Sequence, residues 1–360
     1  MNSKERLTRC YFNQEIDRPA IYSRTGFPNN DPSYDRLREY LAMNTELKRG
    51  WYARTVQAPY SIDYREESYS DKYKRVISVL HTPKGDLTSS RLAGFGTSSE
   101  MHETFYIKDR NDAEKYLSLP MPKIEGDITP YFHLCDEIAE KGIAEIFLFS
   151  NPAGITAELM GSENFAIMSV TDRDIVHEIC QREMNILMEV VKYHIDRNAG
   201  PFFAMQGEEY IVPPLHGQKD FYDFNVKYDK PIIDLIHNAE GRIHIHSHGS
   251  IKKVLQGFID MGADVLHPFE APPLGDITPG EVKNIVRGKL CLEGNIQIAD
   301  MYERTPEEIH KQTLELIKAV FDDQRGLIVC PTASPYIFGK GEQCFEQYKA
   351  MVDTVLDWTK

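Results

Sequence analysis

From Lys123 to the C-terminus, short apolar runs alternate with longer amphipathic stretches, and this rhythm restricts the fold more than any single motif does. The runs at 144–150, 201–206, 242–246, 264–267, 289–293 and 326–330 read as buried strands. The stretches at 172–197, 227–239, 251–261, 279–286, 306–321 and 343–358 read as helices, the first capped by Thr171 or Asp172. Strands alternating with helices predict parallel βαβ units, closed into a barrel or opened into a doubly wound sheet. The glycine fingerprint that would mark an open dinucleotide-binding sheet follows none of these strands, so the chain is read as a closed α/β barrel.

In such barrels chemistry gathers at the carboxyl ends of the strands. Those ends carry Asn151, Glu208 and Glu209, His246 and His248, His267 with Glu270, Glu293 with Asn295, and Cys330. Ordinary turns would favour glycine, asparagine and aspartate there, so a run of glutamates, histidines and a cysteine points to a shared site.

Residues 242–249 are the densest of these ends, with histidines at 244, 246 and 248 before Gly249. Strand side chains alternate faces, so the three imidazoles share one side, neighbours about 6–7 Å apart by strand rise. His244 lies early enough to serve as packing, which leaves His246 and His248 as the better-placed metal pair. Zinc is the default metal for imidazole with thiolate, and Cys330, held before Pro331, is either a third ligand or an inert small hydrophobe. Glu208 offers a displaceable fourth ligand and Glu209 its support; both could equally be solvated loop acids. His216 and His267 are weaker candidates.

A chain of 360 residues with 41% hydrophobic content can bury a large core in one domain. A net charge of -14 argues against nucleic acid or an anionic membrane as partner. The sequence shows no bilayer-spanning apolar run and no signal peptide. Its six cysteines lack paired spacing and read as reduced thiols of a cytoplasmic protein. Before the repeats, residues 1–123 form an entry region. Ser3 is a plausible cap for a first helix, and the alternating run 73–81 turns through Pro83–Asp86 into a partner at 87–92, a hairpin flap outside the parallel sheet.

The chain resembles the uroporphyrinogen decarboxylase superfamily, and within it the zinc-dependent corrinoid methyltransferases. The resemblance runs through Arg6-Leu…Asp17-Arg-Pro, Thr82-Pro-Lys-Gly-Asp-Leu-Thr88, residues 107–116, the histidine strand, Met261-Gly-Ala-Asp-Val-Leu266 and Gly326-Leu-Ile-Val-Cys330. It implies one domain over 1–360, a (β/α)8 TIM barrel with an N-terminal helical and β-hairpin cap (1–123) before the main repeats (124–360). It also implies zinc at the carboxyl mouth. The family's His-x-Cys-Gly pattern with a later cysteine falls on His246, Ser247, His248, Gly249 and Cys330, with histidine in the first cysteine position. Two imidazoles and one thiolate leave zinc formally positive and a stronger Lewis acid. The implied activity is methyl transfer from a small-molecule donor, a methoxylated aromatic, to a corrinoid on a partner protein, with Glu208 or Glu209 ligating or tuning the metal. Transfer from methyl-corrinoid to a thiol is the alternative, as is a decarboxylase or lyase on the same barrel. A homodimer is compatible with the sequence. The arginine-rich segment with which the decarboxylases grip substrate is reduced to Arg24 and Gly26.

Overall fold

The computed structural model describes residues 1–24, 26–52, 55–95 and 100–358. Eight strands form one parallel sheet: β1 (Ala20–Ile21), β2 (Leu47–Tyr52), β3 (Gly142–Ser150), β4 (Phe202–Gln206), β5 (Arg242–His246), β6 (Val265–His267), β7 (Cys291–Ile296) and β8 (Leu327–Pro331). From β2 to β8 each strand pairs with its neighbour in sequence, and β1 pairs with β8 through Ala20–Ile328 and Ile21–Val329. At the remaining seam, between β1 and β2, the Glu46 N–H donates to the Ile21 carbonyl at 3.0 Å. The Ile21 N–H in turn donates to the Glu46 carboxylate at 2.6 Å. The sheet thereby closes into the expected (β/α)8 barrel.

The predicted strands and helices after Lys123 are all present, within a few residues of the expected limits. The longest helix spans Arg173–Ile195, and its N-cap, Asp172, makes no side-chain capping bond. Two helices absent from the sequence reading, Pro152–Met160 and Ser162–Thr171, fill the β3–β4 crossover. The first helix, Ser3–Tyr11, is capped by Asn2, whose side chain accepts from the Glu5 N–H; Ser3 lies inside the helix.

The entry region contributes more than a cap, since β1 and β2 both come from it. β2 reads Leu-Lys-Arg-Gly-Trp-Tyr, and its polarity hides it from a hydrophobic pattern. Lys48 is nonetheless fully buried, because it points into the barrel onto carboxylates. The hairpin is as expected: Tyr73–Leu80 pairs antiparallel with Leu87–Gly94, and Gly85, at φ +117°, makes a turn that a side chain would strain. Ile62–Ser68 and Glu100–Thr104 flank it in a four-stranded antiparallel sheet separate from the barrel. Among the described residues no helix is long and apolar enough to cross a membrane.

Candidate metal centre

Sheet register decides which strand ends meet. His246 lies level with His267, and Asn295 with Cys330. One ligand atom each from His267, Glu293 and Cys330 lies within 4.8 Å of the others, and all three residues are buried. The group spans the neighbouring strands β6, β7 and β8, whose backbones are fixed by ladder hydrogen bonds, so its side chains sit on a rigid base.

Hydrogen bonds select the protonation states. The Pro331 carbonyl, which can only accept, lies 3.2 Å from His267 Nε2. A proton on Nε2 satisfies that carbonyl and leaves a lone pair on Nδ1, where a metal could bind. His246 Nδ1 lies 2.8 Å from this atom and is its donor when no metal takes that lone pair. The two rings are stacked, with centroids 4.9 Å apart. Burial, reinforced by the Lys48 and Arg24 cations and by neighbouring imidazoles, pushes the pKa of His244, His246 and His267 well below the usual histidine value. All three rings are therefore neutral, the form that ligates metal. Burial, with the Glu293 carboxylate beside it, pushes the Cys330 thiol well up. Without a compensating cation this sulfur keeps its proton.

Two cations border the group. Lys48 Nζ lies 2.5 Å from Glu293 Oε2 and 3.7 Å from Glu145 Oε1. Burial opposes its charge, but Glu145 and Glu293 outweigh that effect and raise its pKa. Arg24, at φ +49°, puts Nη1 3.0 and 3.1 Å from the two ring nitrogens of His267 and 3.9 Å from Glu293 Oε1.

The residues expected from sequence are distributed unequally. Cys330 belongs to the tight group. His246 touches it through His267, and the His248 ring lies 4.7 Å from that of His246. His248 Nδ1 meets Glu270 Oε2 at 3.2 Å, and the same carboxylate accepts from the Gly249 N–H at 3.0 Å. These contacts outweigh burial and hold Glu270 below the usual carboxylate range. Glu208 opens a short 3-10 turn after β4, with both carboxylate oxygens buried and unpartnered. Burial and the nearby Asp229 and Glu209 carboxylates push its pKa well up. Glu209 also titrates high through burial; it accepts from the Gly207 N–H at 3.1 Å and feels the charge of His248. His216, buried in the loop after β4, has Asp220 3.6 Å away.

His267 and Glu293 were visible as strand-end residues, but their pairing with Cys330 was not. Lys48 carried no sequence signal at all, because nothing local distinguishes it from a surface lysine.

The donor types suit zinc. A neutral imidazole nitrogen, a carboxylate oxygen and a sulfur are all zinc ligands. Glu293 Oε1 and His244 Nε2 are also buried without hydrogen-bond partners, so the cavity holds polar atoms that no protein group satisfies.

A solved methyltransferase from Methanosarcina mazei superposes with a TM-score of 0.63 over 98% of this chain and 99% of its own, at 10% identity. That likeness speaks to the fold. A 3-keto-D-glucoside 4-epimerase from E. coli covers 62% of this chain and 92% of its own at 8% identity, with a TM-score of only 0.36. No protein with a curated description matches the chain. Residues 101–356 match the sequence model of uroporphyrinogen decarboxylase (URO-D), which covers most of the barrel, and the chain belongs to that family.

Proposed function

We propose that this protein is a zinc-dependent methyltransferase, taking a methyl group from a methoxylated aromatic and passing it to a corrinoid cofactor carried by a partner protein. The observation that carries the reading is the buried His267–Glu293–Cys330 group at the barrel mouth. The methyltransferase fold shared with the M. mazei protein agrees with it. His267, Glu293 and Cys330 would hold the metal, with the His246 ring stacked on His267 and His248 standing beside them. Bound there, zinc would supply Lewis-acid polarisation of the leaving oxygen.

The remaining chemistry belongs to the chain's own groups. When the ether carbon–oxygen bond breaks, the oxygen needs a proton. Glu209, whose carboxyl burial raises above the ordinary range and which feels the charge of His248, would give one, with the buried Glu208 carboxyl as the second candidate. Lys48 and Arg24 offset the charges of the two anionic ligands. Exposed aromatic side chains stand on the segment that follows β8: Tyr336 and Phe338. Such rings suit a flat aromatic donor.

Transfer in the other direction, from methyl-corrinoid to a thiol, is the second reading, and one feature favours it. A carboxylate and a thiolate together cancel the charge of zinc, which preserves the nucleophilicity of a bound thiolate.

The test is metal analysis of chain purified without chelator, followed by incubation with free cob(I)alamin and a panel of methoxyarenes, read by the corrinoid absorbance. About one zinc per chain and methylation by an ether are expected. Zinc without turnover on any ether, amine or thiol would leave a binding protein, and the proposal would fall.

A further inference from the structure

The interior of the barrel below the metal group contains a charged chain that runs inward from Glu293. Tyr11, on the inner end of the first helix, donates its hydroxyl to Glu145 on β3. Glu145 Oε1 lies 3.7 Å from Lys48 Nζ on β2, and the same ammonium lies 2.5 Å from Glu293 Oε2 on β7. None of these four side chains is at the surface: Lys48 is 2% exposed, Glu145 6%, Tyr11 1% and Glu293 0%. The Lys48 ammonium also lies 5.1 Å from the Tyr22 ring centroid and 5.4 Å from that of Tyr11, so aromatic faces wall it in.

A fully buried lysine is costly unless its charge is answered. Here it links two strands on opposite sides of the barrel and takes only one oxygen of Glu293. The other oxygen, Oε1, accepts no hydrogen bond. It lies 3.7 Å from His244 Nε2 and 3.9 Å from Arg24 Nη1. A carboxylate on a flexible side chain would otherwise rotate to offer either oxygen, or both, to whatever cation is nearest. With Oε2 tied to Lys48, rotation of the carboxylate is restrained and Oε1 is left as the oxygen without a hydrogen bond.

We infer that Lys48 is a positioning residue for the metal centre: its hydrogen bond to Glu293 Oε2, braced from below by Glu145 and Tyr11, orients Glu293 as a one-oxygen ligand. The inference rests on the metal-site reading above and extends it to a residue that touches neither metal nor substrate. Groups that hydrogen-bond a metal ligand are commonly worth 10- to 100-fold in metal affinity.

The experiment compares full-length parent, Lys48→Met and Lys48→Gln. Methionine keeps the bulk of the side chain and removes the donor; glutamine keeps a donor without charge. Zinc affinity is read by competition with a chromophoric chelator, and Co(II) is substituted to report ligand geometry through its visible absorption bands. Thermal melting of the metal-free proteins serves as the fold control.

The expected result is a loss of roughly 10- to 100-fold in zinc affinity for Lys48→Met, with altered Co(II) bands. Lys48→Gln should recover part of that loss, because its amide can still hold Oε2. If Lys48→Met does not fold, Lys48→Gln decides alone: weakened affinity with shifted Co(II) bands supports the inference, and parental affinity and bands overturn it. Parental zinc affinity in a folded Lys48→Met overturns the positioning role while leaving the metal site standing. A parent chain that binds neither zinc nor Co(II) removes the site and the inference together.

Discussion

Cys330 and His267 illustrate how chemistry is divided among single residues at the barrel mouth. His246 and His248 are the conspicuous pair in the sequence, but the tertiary arrangement sets Cys330 with His267 and Glu293 and gives His248 to Glu270. The two ligand sets are separable by substitution. His267→Ala and Cys330→Ala should each lose stoichiometric zinc, by more than the roughly 10- to 100-fold that a supporting hydrogen bond is worth. His248→Ala should keep it, since the tight group does not include that ring. Metal analysis of the three purified variants checks this, and zinc lost from His248→Ala but kept by His267→Ala would restore the histidine pair as the ligands. The sequence displayed every one of these residues at a strand end. It did not display the partners: His267 Nε2 meets the Pro331 carbonyl of β8, two strands away round the barrel.

At the scale of elements, the seam between β1 and β2 depends on one carboxylate. Glu46 is buried, accepts from the Ile21 N–H at 2.6 Å, and answers both Arg6 at 2.6 Å and Arg18 at 2.8 Å. Arg6 also ties the first helix to Asp17. Removing one member of a buried ion network leaves the others uncompensated, at about 3–5 kcal/mol. Glu46→Ala should therefore lower the free energy of unfolding in urea by roughly that amount. A loss below about 1 kcal/mol, the range of an exposed pair, would show that water or another group takes over its role. The same elements mark where sequence reading succeeded and failed. Strands β3 to β8 are apolar because helices cover their outer faces and the packed barrel fills their inner ones. β2 is not, because one of its inward positions holds Lys48, and a pattern built on hydrophobicity has no place for a buried cation. The hairpin 73–94 was legible because alternation and a turn are both local properties.

On the scale of the whole molecule, an acidic chain of net charge -14 keeps two cations, Lys48 and Arg24, at its centre. The barrel is held together by ladder hydrogen bonds and an apolar core rather than by metal, so the metal-free protein should stay folded. A ligand that binds only the folded state stabilises it by mass action, about 4 kcal/mol at a thousandfold excess over its dissociation constant. Zinc added to chelator-treated protein should raise Tm by a few degrees without changing the far-ultraviolet circular dichroism. A metal-free chain that has lost its helical signal would show instead that metal holds the fold. The sequence by itself determined the alternation of strand and helix, the closed parallel class, and the kinds of side chain that end each strand, because periodicity and turn chemistry act over a few residues. Only the tertiary structure decided which strand ends share a cavity, that Glu293 and His267 join Cys330, and that Lys48 faces inward. Those are consequences of barrel closure and register, which bring together residues that no local pattern connects.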